Sequence, residues 1–328
     1  ARVVEAGDGA GETATTPLTS RERPAQIPLS APQQRVWFLN QYDTSNPVHN
    51  LPLAVRFQGS LDTDALRSAL ADVLARHESL RTIFPGTDSG PIQQILEPTQ
   101  ALESGFTLDH VEVDASSVES AVLEFVLRGF DVTTELPVRA RLLQTGADEY
   151  VLAIVLHHIA SDGWSFAPLA RDVMVAYAAR AQGSVPAWEP LPVQYADYTL
   201  WQHELLGDES EKSSRSAREL AYWKGALEGL PDVLELPADR PRPAVASGRG
   251  ASFSVEIPAD VHAAMARIGK DHSASTFMVA HAALSVVLSR LSATEDIAVG
   301  TPVAGRSDQA LDDLVGMFVN TLVLRAQV

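Results

Sequence analysis

Two adjacent imidazoles, His157 and His158, are the residues best equipped for chemistry in this chain. They stand in the run Leu156-His157-His158-Ile159-Ala160-Ser161-Asp162-Gly163-Trp164-Ser165. Imidazole titrates near neutrality, so a single ring can take or return a proton at physiological pH. The pair follows Val151-Leu152-Ala153-Ile154-Val155, an unbroken apolar run of the kind that forms a strand buried on both faces. Successive side chains on a strand point to opposite faces, so the two rings are predicted to diverge, one toward a cavity and one into the local structure. That pattern favours single-histidine chemistry over a metal held by the pair. Asp162, beyond the strand end, is placed either to orient a ring or to enter a structural ion pair. Gly163 reads as a tight turn or an ordinary helix entry.

The elements that must hold this run are legible from periodicity. Val138–Gln144 and Glu149–Leu156, joined by Thr145-Gly146-Ala147-Asp148, predict a hairpin, and a long helix is expected from Trp164 to about Arg180. Upstream, a helix starts after Ser30, and Leu53, Val55 and Phe57 alternate as a strand. Asp62 caps a helix whose Ala65, Leu66, Ala69, Leu70, Val73 and Leu74 recur at helical spacing. Short strands are expected near Ile92–Leu96 and Phe106–Val113, and a helix over Val118–Leu127. Downstream, helices are predicted over Tyr198–Leu206, Ser216–Leu230, Ala259–Ile268 and Thr276–Leu291. Strands are predicted over Ser252–Ile257, Ile297–Gly300 and Val319–Leu324. This alternation is an α/β arrangement.

With 328 residues the chain is too long for one ordinary core and suits two lobes of roughly 150 residues each. Residues 1–26 are polar and Gly/Thr-rich and read as an interdomain linker, with Ala1–Glu5 as the tail of a preceding helix. Lobes over 27–190 and 191–328 follow, the second opening with a proline-bearing crossover. A net charge of -17 argues against a nucleic-acid partner. The absence of cysteine excludes thiolate nucleophiles and Cys-based metal sites. No apolar run approaches the ~20 residues of a membrane helix, and the first residues lack the order of a secretion signal; no membrane partner and a cytoplasmic location are the expectation. His49, His110, His203, His262, His272 and His281 show no ligand spacing, and no glycine-rich phosphate loop precedes a helix.

The chain resembles the condensation domains of nonribosomal peptide synthetases from about residue 27 to its end. The family signature H-H-x-x-x-D-G stands as His157, His158, Asp162 and Gly163. Ser30–Leu39 resembles the first family motif, Arg76–Phe84 the second, Tyr195–Trp201 the fourth and Val315–Thr321 the fifth. The resemblance implies two chloramphenicol-acetyltransferase-like lobes in a V, with a tunnel between them. Gln34-Arg35-Val36-Trp37 and Trp164-Ser165 are similar to the subtype joining an L-configured donor to an L-configured acceptor. Family members continue further, with two more motifs, so the chain reads as truncated at its C-terminus with its second lobe incomplete.

What the resemblance implies chemically is amide formation between two substrates carried on 4'-phosphopantetheine arms, with no tightly bound cofactor. Upstream and downstream peptidyl carrier proteins and a neighbouring adenylation domain are the implied partners. His158 is the implied catalytic residue. His157 supports it by packing and a fixed hydrogen bond, and Gly163 leaves room for the arm. Asp162 is implied in an ion pair with Arg81, Arg76 being the runner-up. Trp37, Tyr195 and Trp201 read as core or interface aromatics, and Asn320 as a strand-end or tunnel residue. Two other readings stay open: a related coenzyme A- or carrier-dependent acyltransferase forming an ester or amide, and a non-catalytic recruitment module on the same fold.

Overall fold

The computed structural model of the protein describes residues 17–241, 243–245 and 250–328. Two compact units emerge. Among the described residues, one holds residues 17–217 together with Val303–Asn320, and the other holds Arg218–Pro302 with Thr321–Val328.

The first unit runs β1 (Ile27–Pro28), α1 (Ala31–Tyr42), β2 (Asn50–Gln58), α2 (Thr63–Arg76), β3 (Thr82–Ile83), β4 (Gly86–Thr87), β5 (Gly90–Ile95) and α3 (Pro98–Glu103). It continues through β6 (Leu108–Glu112), α4 (Val118–Leu127), β7 (Val138–Gly146), β8 (Glu149–His157), α5 (Phe166–Arg180) and α6 (Tyr195–Leu206). Helix starts follow local chemistry. Ser30 and Gln33 form a reciprocal capping box at α1, and the Asp62 carboxylate accepts from Asp64 N and Ala65 N at α2.

The main sheet has the order β2-β8-β7-β6. Strands β2 and β7 flank β8 in antiparallel register, and β6 pairs with β7 in parallel. Strand β8 is the centre of the unit because both its faces are apolar. Leu152, Ile154 and Leu156 pack with Leu66, Leu70, Val73 and Leu169 of α2 and α5. Ala153 and Val155 belong to a separate core with Phe125, Val126 and Phe130. Burying such side chains stabilises by about 1.5–3 kcal/mol each, which is why an unbroken apolar run is stable in this strand. A smaller sheet has the order β1-β5-β3, with β4 on β5.

Two boundary expectations are corrected. Residues 1–16, including the anticipated helix tail, lie outside the described residues. Residues 17–26 are not a free tether: Leu18 is in the core, and Arg23 bonds Glu78 and Asp197. The units also do not part at residue 191. Val193, Tyr195 and Tyr198 are buried in the first unit's core, which keeps α6 there.

The second unit carries α7 (Arg215–Ala226) at its boundary, then α8 (Ala259–Asp271), α9 (Thr276–Ser292), β9 (Asp296–Val303) and β10 (Asn320–Gln327). Strands β9 and β10 form a two-stranded sheet. The expected strand over Ser252–Ile257 is absent, and Phe253 and Val255 are exposed. Alternation marks a candidate face, but a strand needs a neighbour to take its backbone hydrogen bonds, and among the described residues none pairs with this segment. No single described helix is long and apolar enough to cross a membrane.

Candidate active site

Strand β8 ends on His157, and the two rings part as alternation requires. His157 is buried among His49 and Phe130, with ring centroids 5.9 and 5.6 Å away. Its Nδ1 accepts Ile159 N–H at 3.3 Å, so its ring hydrogen sits on Nε2. His158 has left the strand and is only partly buried. Its backbone N–H donates to His49 O at 2.8 Å, and its Nδ1 lies 2.8 Å from Ser161 O. A carbonyl can only accept, so Nδ1 carries a hydrogen, and in the neutral ring the lone pair is on Nε2. Spacing along the chain carried no sign of His49. Pairing does: Asn50 of β2 stands opposite His157, which puts its predecessor beside the pair.

Asp162 is fully buried and caps the turn that leads into α5. Its Oδ1 accepts from Ser165 N at 3.0 Å and Ser165 Oγ at 2.8 Å, and its Oδ2 accepts from Phe318 N at 3.0 Å. The ion-pair partner is Arg306, with Nη2 3.4 Å from Oδ1. This corrects the implied pairing. Arg81 instead donates to Leu96 O and stands 3.7 Å from Glu78, while Arg76 bonds Asp172 at 2.8 Å and Glu189 O. The short turn carrying Arg81 holds it beside β5, and the return segment Val303–Asn320 delivers Arg306 instead. Gly305 makes that delivery possible: its φ is +68° and a Cβ there would strike Phe318 O. An arginine next to a glycine after an apolar strand was the available sequence signal.

The motif residues converge on the backbone of Val315–Phe318. His77 Nδ1 accepts Val315 N–H at 3.4 Å, and Ser79 Oγ donates to Val315 O at 2.7 Å. Ser165 Oγ meets both Gly316 N and Gly316 O, Tyr195 donates to Met317 O at 2.6 Å, and Asp162 takes Phe318 N–H. Ser30 in turn donates to the Tyr195 oxygen at 2.8 Å, since the phenolic hydrogen is committed to Met317. Three of the motif regions therefore hold the fifth by its buried main-chain groups, and the first braces it through Tyr195. Tyr195 and Trp201 pack in the core, Trp37 Nε1 donates to Phe84 O at 2.7 Å, and Asn320 opens β10. Gly163 is exposed, its φ lies outside the left-handed region, and a Cβ there would meet nothing within 4 Å. Open space, not backbone conformation, is what this glycine provides.

Burial pushes His157 down to about 3, helped by His49, His158 and Arg139 nearby. Burial also lowers His77, against the pull of Asp172, and lowers His49. An unfolded histidine binds a proton near 6.5, so between that pH and about 3 the unfolded chain holds a proton that native His157 does not. Stability is therefore expected to fall as pH drops through this window, by about 1.4 kcal/mol per pH unit for one group. His77 and His49 act in the same direction. Urea midpoints at pH 7.5 and pH 5 check this, and a midpoint that rises on acidification would contradict it. Among the described residues no group of three His, Cys, Asp or Glu is placed to hold a metal ion.

The condensation-domain family model matches residues 24–328. The chain belongs to the condensation-domain family. This condensation domain is 51% identical over 97% of its length to the isonitrile lipopeptide synthase of Mycobacterium tuberculosis (strain ATCC 25618 / H37Rv), of which it covers 13%. It is 46% identical over 96% of its length to the dimodular nonribosomal peptide synthase of Bacillus subtilis (strain 168), again covering 13%. The chain thus spans about an eighth of the length of these relatives. Among solved structures, the X-domain in complex with OxyB from teicoplanin biosynthesis superposes with a TM-score of 0.88 at 32% identity, over 97% of this chain and 68% of that one.

Proposed function

We propose that this condensation domain forms a peptide bond in nonribosomal peptide synthesis, between a donor thioester and the α-amine of an acceptor aminoacyl thioester. Both substrates arrive on phosphopantetheine arms of upstream and downstream carrier proteins, beside an adenylation domain, on a two-lobed acetyltransferase-like body. The pairing is L to L, and His158 is the catalytic residue. The observation that carries the reading is the half-open imidazole of His158, with Nδ1–H held by Ser161 O and Nε2 without a hydrogen-bond partner among the described residues. Its relatives among peptide synthases support the substrate class.

The amine nitrogen attacks the thioester carbon, the C–S bond breaks, and His158 Nε2 takes the amine proton and returns it to the departing sulfur. An α-amine has a pKa of about 7.7–8, so a neutral fraction is present and the thioester needs no further activation. Holding amine and carbonyl in near-attack geometry is worth up to ~7–11 kcal/mol, against roughly 10²- to 10⁴-fold for proton transfer. Positioning contributes more. The test loads a donor on an upstream carrier and an aminoacyl group on a downstream carrier, and looks by mass spectrometry for dipeptidyl-carrier. Product supports the reading.

The likeness to the X-domain bound to OxyB favours one second reading, a recruitment module. No dipeptidyl-carrier, together with tight binding of a partner enzyme, would replace catalysis with recruitment. Gly163 discriminates as well. Gly163→Ala is expected to fold and turn over like the parent, because the added methyl meets open space. Gly163→Leu is expected to fold equally well yet lose about tenfold or more in turnover by displacing the arm. Equal turnover in both variants would remove Gly163 from the substrate path.

A further inference from the structure

One peptide plane separates His158 from a buried hydroxyl. His158 Nδ1–H donates to Ser161 O at 2.8 Å. That carbonyl belongs to the same peptide unit as Asp162 N–H, and in a trans unit the two point in opposite directions. Asp162 N–H donates to Ser165 Oγ at 3.3 Å. Ser165 is fully buried, and its Oγ also lies 2.8 Å from Asp162 Oδ1, 3.1 Å from Gly316 N, 3.0 Å from Gly316 O and 3.1 Å from Arg306 Nη2. A hydroxyl has one hydrogen and two lone pairs. Three donors converge on this oxygen, and its own hydrogen serves Asp162 Oδ1 or Gly316 O.

We propose that Ser165 is a positioning residue for His158: through the Ser161–Asp162 peptide it sets the tilt of the carbonyl that holds Nδ1–H, and so the direction in which Nε2 faces the substrate. The inference rests on His158 being the reacting imidazole. Hydrogen bonds in series polarise one another, so the N–H donated to Ser165 makes the carbonyl on the other side of the plane a better acceptor. That biases His158 toward the Nδ1–H tautomer. Arg306 and Gly316 anchor the hydroxyl from the return segment, so the fifth motif reaches the imidazole through one oxygen atom. A capping serine with no further role would leave the ring's tautomer untouched.

The test combines ¹⁵N NMR of the His158 ring with kinetics on loaded carriers. Ser165→Ala is expected to lower the Nδ1–H tautomer fraction and to reduce kcat about tenfold, with KM for the carriers within about twofold. Ser165→Thr keeps the hydroxyl and is expected to restore both. If the alanine variant does not fold, Ser165→Cys carries the measurement, because a thiol is a weak acceptor: its tautomer fraction and kcat should both fall below those of wild type. An unchanged tautomer fraction in folded Ser165→Ala or Ser165→Cys overturns the proposal, as does a kcat loss that threonine does not repair. The NMR measurement needs no turnover. If even the parent chain forms no product, the condensation reading fails while the tautomer shift still decides the role of Ser165.

Discussion

Replacing His158 by alanine is expected to lower dipeptidyl-carrier formation about 10²- to 10⁴-fold while the fold persists. The ring is partly exposed and, among the described residues, its hydrogen bond is to Ser161 O, so its removal leaves no large apolar void. The main-chain bond from His158 N to His49 O remains in the variant. His158→Gln is expected to recover little, since an amide can hydrogen-bond the amine but cannot carry its proton to sulfur. The parallel change His157→Ala should behave oppositely, losing stability first, because that ring is buried against Phe130 and His49. Single-turnover mass spectrometry beside a urea unfolding curve separates the two. Wild-type turnover in His158→Ala would end the catalytic assignment.

Asp162→Ala is expected to cost about 3–5 kcal/mol of stability, the range for breaking one side of a buried charge pair. The variant takes the carboxylate partner from Arg306, whose side chain is nearly buried, and leaves Phe318 N without its acceptor, while Ser165 N keeps the main-chain oxygen of residue 162 at 3.1 Å. Asp162→Asn is the sharper probe. Its amide oxygen can still accept from Ser165, but its NH2 then faces Phe318 N–H, donor against donor. Thermal unfolding of both should show a large drop, with turnover lost in proportion to the folded fraction. An Asp162→Ala chain that unfolds like wild type yet is inactive would move this carboxylate from the scaffold into the chemistry.

Much of the first unit was legible because its signals are local. Ser30 and Asp62 announce their helices, Val118–Leu127 is helical as its pattern predicts, and the hairpin that delivers the histidines follows from alternation around a short polar turn. The motifs likewise identified which segments matter. Their order in the chain did not reveal how they meet. Arg306 lies 144 residues from Asp162 and reaches it by a return segment between β9 and β10, so no periodicity connects the two. Analogy supplied Arg81, whose own carbonyl and carboxylate partners hold it elsewhere. The strand expected over Ser252–Ile257 but not formed has the same origin, since pairing depends on a neighbour that alternation cannot supply.

What the amino-acid order determined by itself was a doubly buried strand ending in two divergent imidazoles, the helices around it, and membership in a family of motifs. Only the tertiary structure decided which buried groups satisfy Asp162, why Gly163 is open, and that His49, Arg306 and Ser165 surround the loop that follows His157. Helix caps and side-chain periodicity act over a few residues. The satisfaction of a buried charge or main-chain group depends on whatever the fold brings beside it, from any distance along the chain.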